Sequence, residues 1–205
     1  MVGHRFRVRE LQEDHVPEEV SVVWIIVAIL VVAVLAVVAL IALRRRRSEQ
    51  LQERFGPEYE RVVQERGDQR TAESELQERF HRRESFELRA LDPGARQRYA
   101  ERWERVQREF VDRPAGAIAD ADGLVSEVMR DRGYPVEGEF EQRAADVSVD
   151  HPQVVEEYRA AHAISRQSAD GHASTEDLRE AMVHFRALFD ELLADEERRT
   201  TQTTR

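Results

Sequence analysis

Apolar and polar positions along this chain fall into three regimes. From Val22 to Leu43 every residue is apolar (VVWIIVAILVVAVLAVVALIAL), and Arg44–Arg47 follow at once. A run of about 22 residues at ~1.5 Å per residue covers roughly 33 Å, enough for a hydrocarbon core of ~30 Å. The pattern predicts one transmembrane helix over residues 21–43. A polar arm, residues 1–20, precedes it, and a basic juxtamembrane and helical connector, residues 44–91, follows.

Further on, the apolar positions recur with a helical period. Asp92 and Pro93 read as a helix cap and first helical position, and Tyr99, Trp103, Val106 and Phe110 then mark one face. After a break at Asp112–Pro114, Ile118, Ala121, Leu124, Val125, Val128 and Met129 form the next stripe, which Gly133-Tyr134-Pro135 stops. Phe140–Val147 reads as a short helix. Asp150 is expected to cap another, with Pro152 in its first turn and Val155, Tyr158, His162 and Ser165 on one face. Residues 166–173 read as a polar loop. Ser174 and Asp177 form a capping box for the last helix, which carries Leu178, Met182, Phe185, Phe189 and Leu192. No strand-like alternation competes. The expectation is an all-α chain whose helical domain, residues 92–194, is a compact bundle of four or five helices, with a disordered tail at 195–205.

The connector contains a repeat. Leu51-Gln52-Glu53-Arg54-Phe55 returns as Leu76-Gln77-Glu78-Arg79-Phe80. The offset is close to seven helical turns, so on one continuous helix both copies would share a face. A helical stalk or self-associating seam is one reading, and chance similarity in an Arg/Glu/Gln-rich segment is the other. Apolar residues between the copies are too sparse for a sustained heptad seam. Gly56-Pro57 interrupts the segment, with Pro57 suited to a first helical position.

Charge changes the picture of the ends of the span. All 31 basic residues other than His are Arg, and Cys is absent. Lysine-dependent phosphate loops, Schiff bases and kinase-type ATP sites are excluded, as are disulfides and thiolate chemistry. Residues 1–20 are net −2, residues 44–90 net +1 and residues 91–205 net −9. The acidic distal part argues against nucleic acid as a partner. Arg44, Arg45, Arg46 and Arg47 close the C-terminal end of the span, and Trp24 sits at the other, where an interfacial aromatic belongs. These five are the candidate membrane-interface residues. The positive-inside rule places the C-terminal side in the cytoplasm, as a single-pass protein of the plasma membrane. Acids lie between Arg9 and the apolar run, the run exceeds a signal-peptide core, and no small-residue cleavage site follows it, so the anchor reads as uncleaved. The span has no ionisable residue and no GxxxG, so it signals neither an ion path nor a tight dimer, although homo-oligomers remain compatible with it.

No catalytic, cofactor-binding or metal-binding residue is assigned. Asp120-Ala121-Asp122-Gly123 resembles a calcium loop, but its glycine comes two positions too early. Glu78 and His81 give one Glu-x-x-His where a di-iron bundle needs two. His151 and His162 are too far apart along a helix to share a metal, and His184 pairs locally with Glu180 at best. There is no nucleophile elbow, phosphate loop or HExxH.

Four stretches together resemble a family of actinobacterial membrane proteins of unknown function: RRRRSEQLQERFGPEYERVV, RYAERWERVQREFVDRPAGAIADADGLVSEVMRDRGYP, AADVSVDHPQVVEEYRAAHAI and STEDLREAMVHFRALFDELL. The resemblance covers most of residues 44–194. It implies a bacterial single-pass membrane protein and carries over no catalytic residue. The expected function is interaction: a membrane-anchored helical domain that tethers or recruits a protein partner at the cytoplasmic face. An extracytoplasmic sensor or envelope-stress domain of opposite topology is the alternative. An enzyme built on carboxylates and His is a third class.

Overall fold

Residues 18–203 of the chain are described in backbone, and residues 24–194 also in side chains, by a computed structural model. The arm read over residues 1–20 therefore lies almost wholly outside the described residues, as do the side chains of the tail. Among the described residues there are eight helices and no strand. They are α1 (Glu18–Phe55), α2 (Pro57–Arg66), α3 (Gln69–Glu84), α4 (Pro93–Glu109), α5 (Pro114–Asp131), α6 (Phe140–Val147), α7 (Val155–Ala169) and α8 (Thr175–Thr203). Two compact units result, Met1–Arg47 and Ser48–Arg205.

In the second unit the main core is built from the stripes of α4, α5, α7 and α8. Helix α8 packs along α7 and α5, and α5 also packs on α4. Ile118, Val125, Val128, Tyr158, Phe185 and Leu192 are fully enclosed. Each side chain of this size contributes about 1.5–3 kcal/mol on burial. The Trp103 ring stacks on Phe189 with centroids 4.6 Å apart. That pair joins the first stripe read from the sequence to the last. The caps form as expected. The Asp92 carboxylate accepts from the Ala95 N–H at 2.9 Å. At the start of α8, the Asp177 carboxylate accepts from the Ser174 N–H at 2.7 Å, and the Ser174 hydroxyl accepts from the Asp177 N–H at 3.2 Å.

Between α3 and α4 the chain has no regular secondary structure, and the Arg89 N–H donates to the Arg132 carbonyl at 3.0 Å. This contact ties the connection to the end of α5. Gly133 turns the chain there at φ +91°, and a Cβ at this position would meet the Glu87 carbonyl oxygen at 2.4 Å. Only glycine satisfies both the dihedral and the close approach.

A smaller hydrophobic cluster lies apart from the main core. It contains Leu51, Phe55, Tyr59, Val62, Ala72 and Leu76, with Val149 inserted from the segment after α6. The connector is thus folded, and residues 48–91 belong to the second unit. A long stalk does not form because glycine breaks the helix twice. Gly67, for instance, closes α2 in the left-handed region at φ +67°, its N–H donating to the Val63 carbonyl. The two pentapeptides consequently fall on α1 and α3. Leu51, Phe55 and Leu76 pack into the one cluster, and the Arg54 guanidinium lies 4.0 Å from the centre of the Phe80 ring.

Three sequence expectations need correction. Asp150 does not cap α7, which begins only at Val155. Its carboxylate is taken instead by Arg83 at 2.7 Å and the Tyr134 hydroxyl at 2.9 Å. The polar loop expected over 166–173 is shorter, because α7 continues to Ala169. Its polar residues there face outward and do not oppose helix formation. Finally, α8 extends to Thr203 rather than ending at 194. Residues 194–199, Ala-Asp-Glu-Glu-Arg-Arg, are mostly good helix formers.

Candidate membrane anchor and buried ionic network

The candidate anchor follows from an absence of packing. From Trp24 to Leu43 every side chain of α1 is exposed, including Leu30, Val34, Leu40 and Ile41. A helix that is apolar on all sides belongs in a protein core or in lipid. This one is long and apolar enough to cross a membrane by length and composition. Trp24 is 67% exposed. At ~1.5 Å per residue, Trp24 and Arg44 stand roughly 30 Å apart along the axis, matching a hydrocarbon core. Arg44, Arg45, Arg46 and Arg47 are all exposed. The five predicted interface residues therefore occupy the two ends of one uninterrupted helical segment.

In the second unit the chemistry centres on Glu58, which the sequence reading did not single out. Pro57 starts α2, so Glu58 falls in its first turn, where a carboxylate is favoured by the helix dipole. The residue is only 2% exposed. Three guanidinium groups from three helices converge on it. Arg61 of α2 donates through Nε to Oε2 and through Nη2 to Oε1, both at 2.9 Å. Arg79 of α3 donates to Oε1 at 2.6 Å. Arg159 of α7 donates to Oε2 at 2.8 Å and to Oε1 at 3.1 Å. Burial alone would raise the Glu58 pKa. Hydrogen bonds from Arg61 and Arg159, and the charges of both, outweigh burial and hold it down at about 2. A carboxylate so saturated is a fixed anion and does not act as a base.

Further ion pairs flank this one. Asp146 of α6 accepts from Arg82 at 2.9 Å and from Gln142 at 3.0 Å. Burial nevertheless pushes its pKa up, against the opposing effects of Gln142 and Arg82. Arg83 binds Asp150 as described above. The pairs Glu58–Arg159, Asp146–Arg82 and Asp150–Arg83 thus join α2 and α3 to the bundle. A crevice of about 430 Å³ opens beside them, lined by Arg61, Glu75, Arg79, Arg82, Glu141 and their neighbours, with Ala145 its single apolar wall residue. Charged and polar side chains supply nearly all of this lining, whereas most small-ligand pockets are lined chiefly by hydrophobic and aromatic residues.

The histidines are dispersed. His162 Nδ1 lies 3.2 Å from Asp122 Oδ2, and its ring stacks on Phe140 with centroids 3.7 Å apart. Behind them, burial and then the Asp122 charge push the Tyr158 phenol up to about 12, so it stays protonated near neutral pH. His184 contacts Glu180 at 3.4 Å, and His81 contacts Glu84 at 3.1 Å. His151 is buried before α7, with Nδ1 3.6 Å from Glu191. Asp120 and Asp122 lie on α5 rather than in a loop. Among the described residues no three His, Cys, Asp or Glu gather as a metal site.

The Glu58 network escaped sequence reading because 35% of the residues are charged. Its one local signal is an acid directly after a helix-starting proline. No protein-family model, curated protein or solved structure matches this chain.

Proposed function

We propose that this chain is a single-pass protein of a bacterial plasma membrane, anchored by residues 21–43, with its helical domain in the cytoplasm. The domain acts by interaction, tethering or recruiting a protein partner at the inner membrane face. The observation that carries the reading is the complete exposure of an apolar helix from Trp24 to Leu43, followed without a gap by Arg44–Arg47. That surface is costly in water, at ~25 cal/mol per Å², and lipid removes the cost. The arginine excess at its C-terminal end favours retention of that end in the cytoplasm. The saturated Glu58 and the predominantly polar crevice support a structural and interacting role over catalysis.

The test has two arms. Membranes from cells expressing the chain are washed with alkaline carbonate, and a topology reporter is fused after Arg205. Retention in the pellet and a reporter active on the cytoplasmic side are expected. Release by the wash overturns the anchor, and a reporter active only outside the cell overturns the orientation in favour of an extracytoplasmic domain. Affinity capture of the intact protein from membranes then tests the tether. Failure to find any reproducible partner, a second copy included, counts against it.

A further inference from the structure

We infer that the small cluster of α1, α2 and α3 is a docking socket for a helical turn of a partner protein with the pattern Asp-x-x-Val-Asp, and that the chain's own residues 146–150 fill it until displaced. The inference rests on the interaction reading above and names the chemistry of the partner. Asp146, Val149 and Asp150 are positions i, i+3 and i+4 at the end of α6, a spacing that shares one helical face. The helical bonding continues there, from the Ser148 N–H to the Ala144 carbonyl and from the His151 N–H to the Val147 carbonyl, both at 2.9 Å. All three residues engage the small cluster or its rim. Val149 is 4% exposed and packs into the cluster that holds Leu51, Phe55, Val62 and Leu76. On either side of it, Asp146 accepts from Arg82 at 2.9 Å and Asp150 from Arg83 at 2.7 Å. Val147 is buried in the main core instead. An apolar knob between two carboxylates thus meets an apolar hole beside two adjacent arginines. This is helix-in-groove recognition with the ligand supplied by the same chain.

The seam around Val149 favours exchange. It is carried by ion pairs, Arg82–Asp146, Arg83–Asp150 and Arg159–Glu58. Charged groups recover hydration when such a seam opens, and polar interfaces within a chain permit relative motion. Each side keeps a hydrophobic core of its own. Glu58 loses Arg159 on opening but retains Arg61 and Arg79. Asp146 gains by leaving, since its burial outweighs the help of Gln142 and Arg82. The crevice of about 430 Å³ runs between Arg79 and Arg82 of α3 and Glu141 and Ala145 of α6, and gives a competing turn its entry. Phe86 and Leu88 pack against the main core, so the connection travels with the bundle and Ser85 is the swing point.

The probe is a fluorescein-labelled, end-capped peptide of residues 140–152, added to the full chain in detergent and followed by fluorescence anisotropy. Wild type is expected to bind it weakly, because its socket is filled. V149D, which puts a carboxylate where the cluster is apolar, ejects the chain's own turn and should bind the peptide on the order of tenfold more tightly. R82E/R83E should abolish binding. Equal affinity of wild type and V149D overturns the self-filled socket. Equal binding of a D146K/D150K peptide, or undiminished binding by R82E/R83E, overturns an acidic partner. Hydrogen exchange of the wild type gives a reading that does not depend on V149D folding. Millimolar peptide should speed exchange at residues 146–151 and leave α5 unchanged, and no change at 146–151 overturns displacement. A wild-type dimer that the peptide dissociates assigns the socket to a second copy and overturns a separate partner. Capture of a partner from membranes, with both peptide readings negative, fails this inference alone, whereas capture of nothing is the failure of the tether.

Discussion

Arg159 reaches across 101 positions of sequence to place Nη1 2.8 Å from Oε2 of Glu58. Arg61 and Arg79 hold the same carboxylate from 3 and 21 positions away. The three cations are kept together by one anion, and the Arg79 and Arg159 side chains are only about a tenth exposed.

Glu58→Ala should therefore be among the most damaging single changes in the second unit. It leaves guanidinium groups facing each other with no carboxylate between them. Breaking a buried pair from one side costs about 3–5 kcal/mol. For a domain of this size, 3 kcal/mol corresponds to a fall in Tm on the order of 6–12 °C. Circular dichroism melts of the full chain in detergent measure it. A Tm within 2 °C or so of the wild type would show that the network contributes little.

Acid should weaken the same network in a defined window. The folded Glu58 pKa, about 2, lies below its ordinary value of 4.5. A depressed carboxylate contributes stability in full above the unfolded pKa and loses it as pH falls towards the folded pKa. The contribution from Glu58 is thus complete above pH 4.5 and declines between 4.5 and 2. The difference in Tm between wild type and Glu58→Gln should narrow over that interval. A constant difference down to pH 2 contradicts the assignment.

Asp146 has the opposite sign. Its pKa is raised from the ordinary 3.8 by burial, so ionising it in the folded state is unfavourable. That cost is absent below pH 3.8 and develops as pH rises through the raised value. Asp146→Asn is expected to raise the Tm at pH 7 and to change it little at pH 3. A lower Tm at pH 7 would mean that the Arg82 pair outweighs desolvation.

Gly133→Ala combines two penalties. Its φ of +91° is unfavourable for any L-residue, and the new Cβ would lie 2.4 Å from the Glu87 carbonyl oxygen. That carbonyl belongs to backbone fixed by the bond from Arg89 to Arg132, so it yields poorly. The expected loss is on the order of 2 kcal/mol or more. Gly123→Ala, mid-helix and with open space around its Cβ, serves as the control and should stabilise slightly.

The bundle could be read from the sequence where one physical rule acted alone. The stripes Tyr99–Trp103 and Leu178–Leu192 are set by burial at a helical period, and they form the core as read. Asp92 and Ser174 are set by local capping geometry, and both cap. Reading failed where tertiary partners competed for a local role. Asp150 could cap a helix, yet Arg83 and Tyr134 take its carboxylate. The pentapeptide repeat suggested one face of one helix, but glycine dihedrals at 56 and 67 redirected the chain, and the shared residues met in space instead. Glu58 was hidden for a different reason. Among 41 acids and 31 arginines, pattern alone cannot say which pair is enclosed. The five candidate interface residues needed no tertiary partner to be singled out, since the length of the apolar run and the charge beside it point to them.

The distances in sequence around Glu58 also impose an order of events during synthesis. A chain emerges from the ribosome N-terminus first. Glu58 and Arg61 appear together, Arg79 follows after 18 residues, and Arg159 only after 80 more. The carboxylate is thus escorted by two local cations while the rest of its enclosure is still unmade. Helix α7 then closes over an anion that is already neutralised, and α2 and α3 can assemble early without waiting for the bundle that finally covers them.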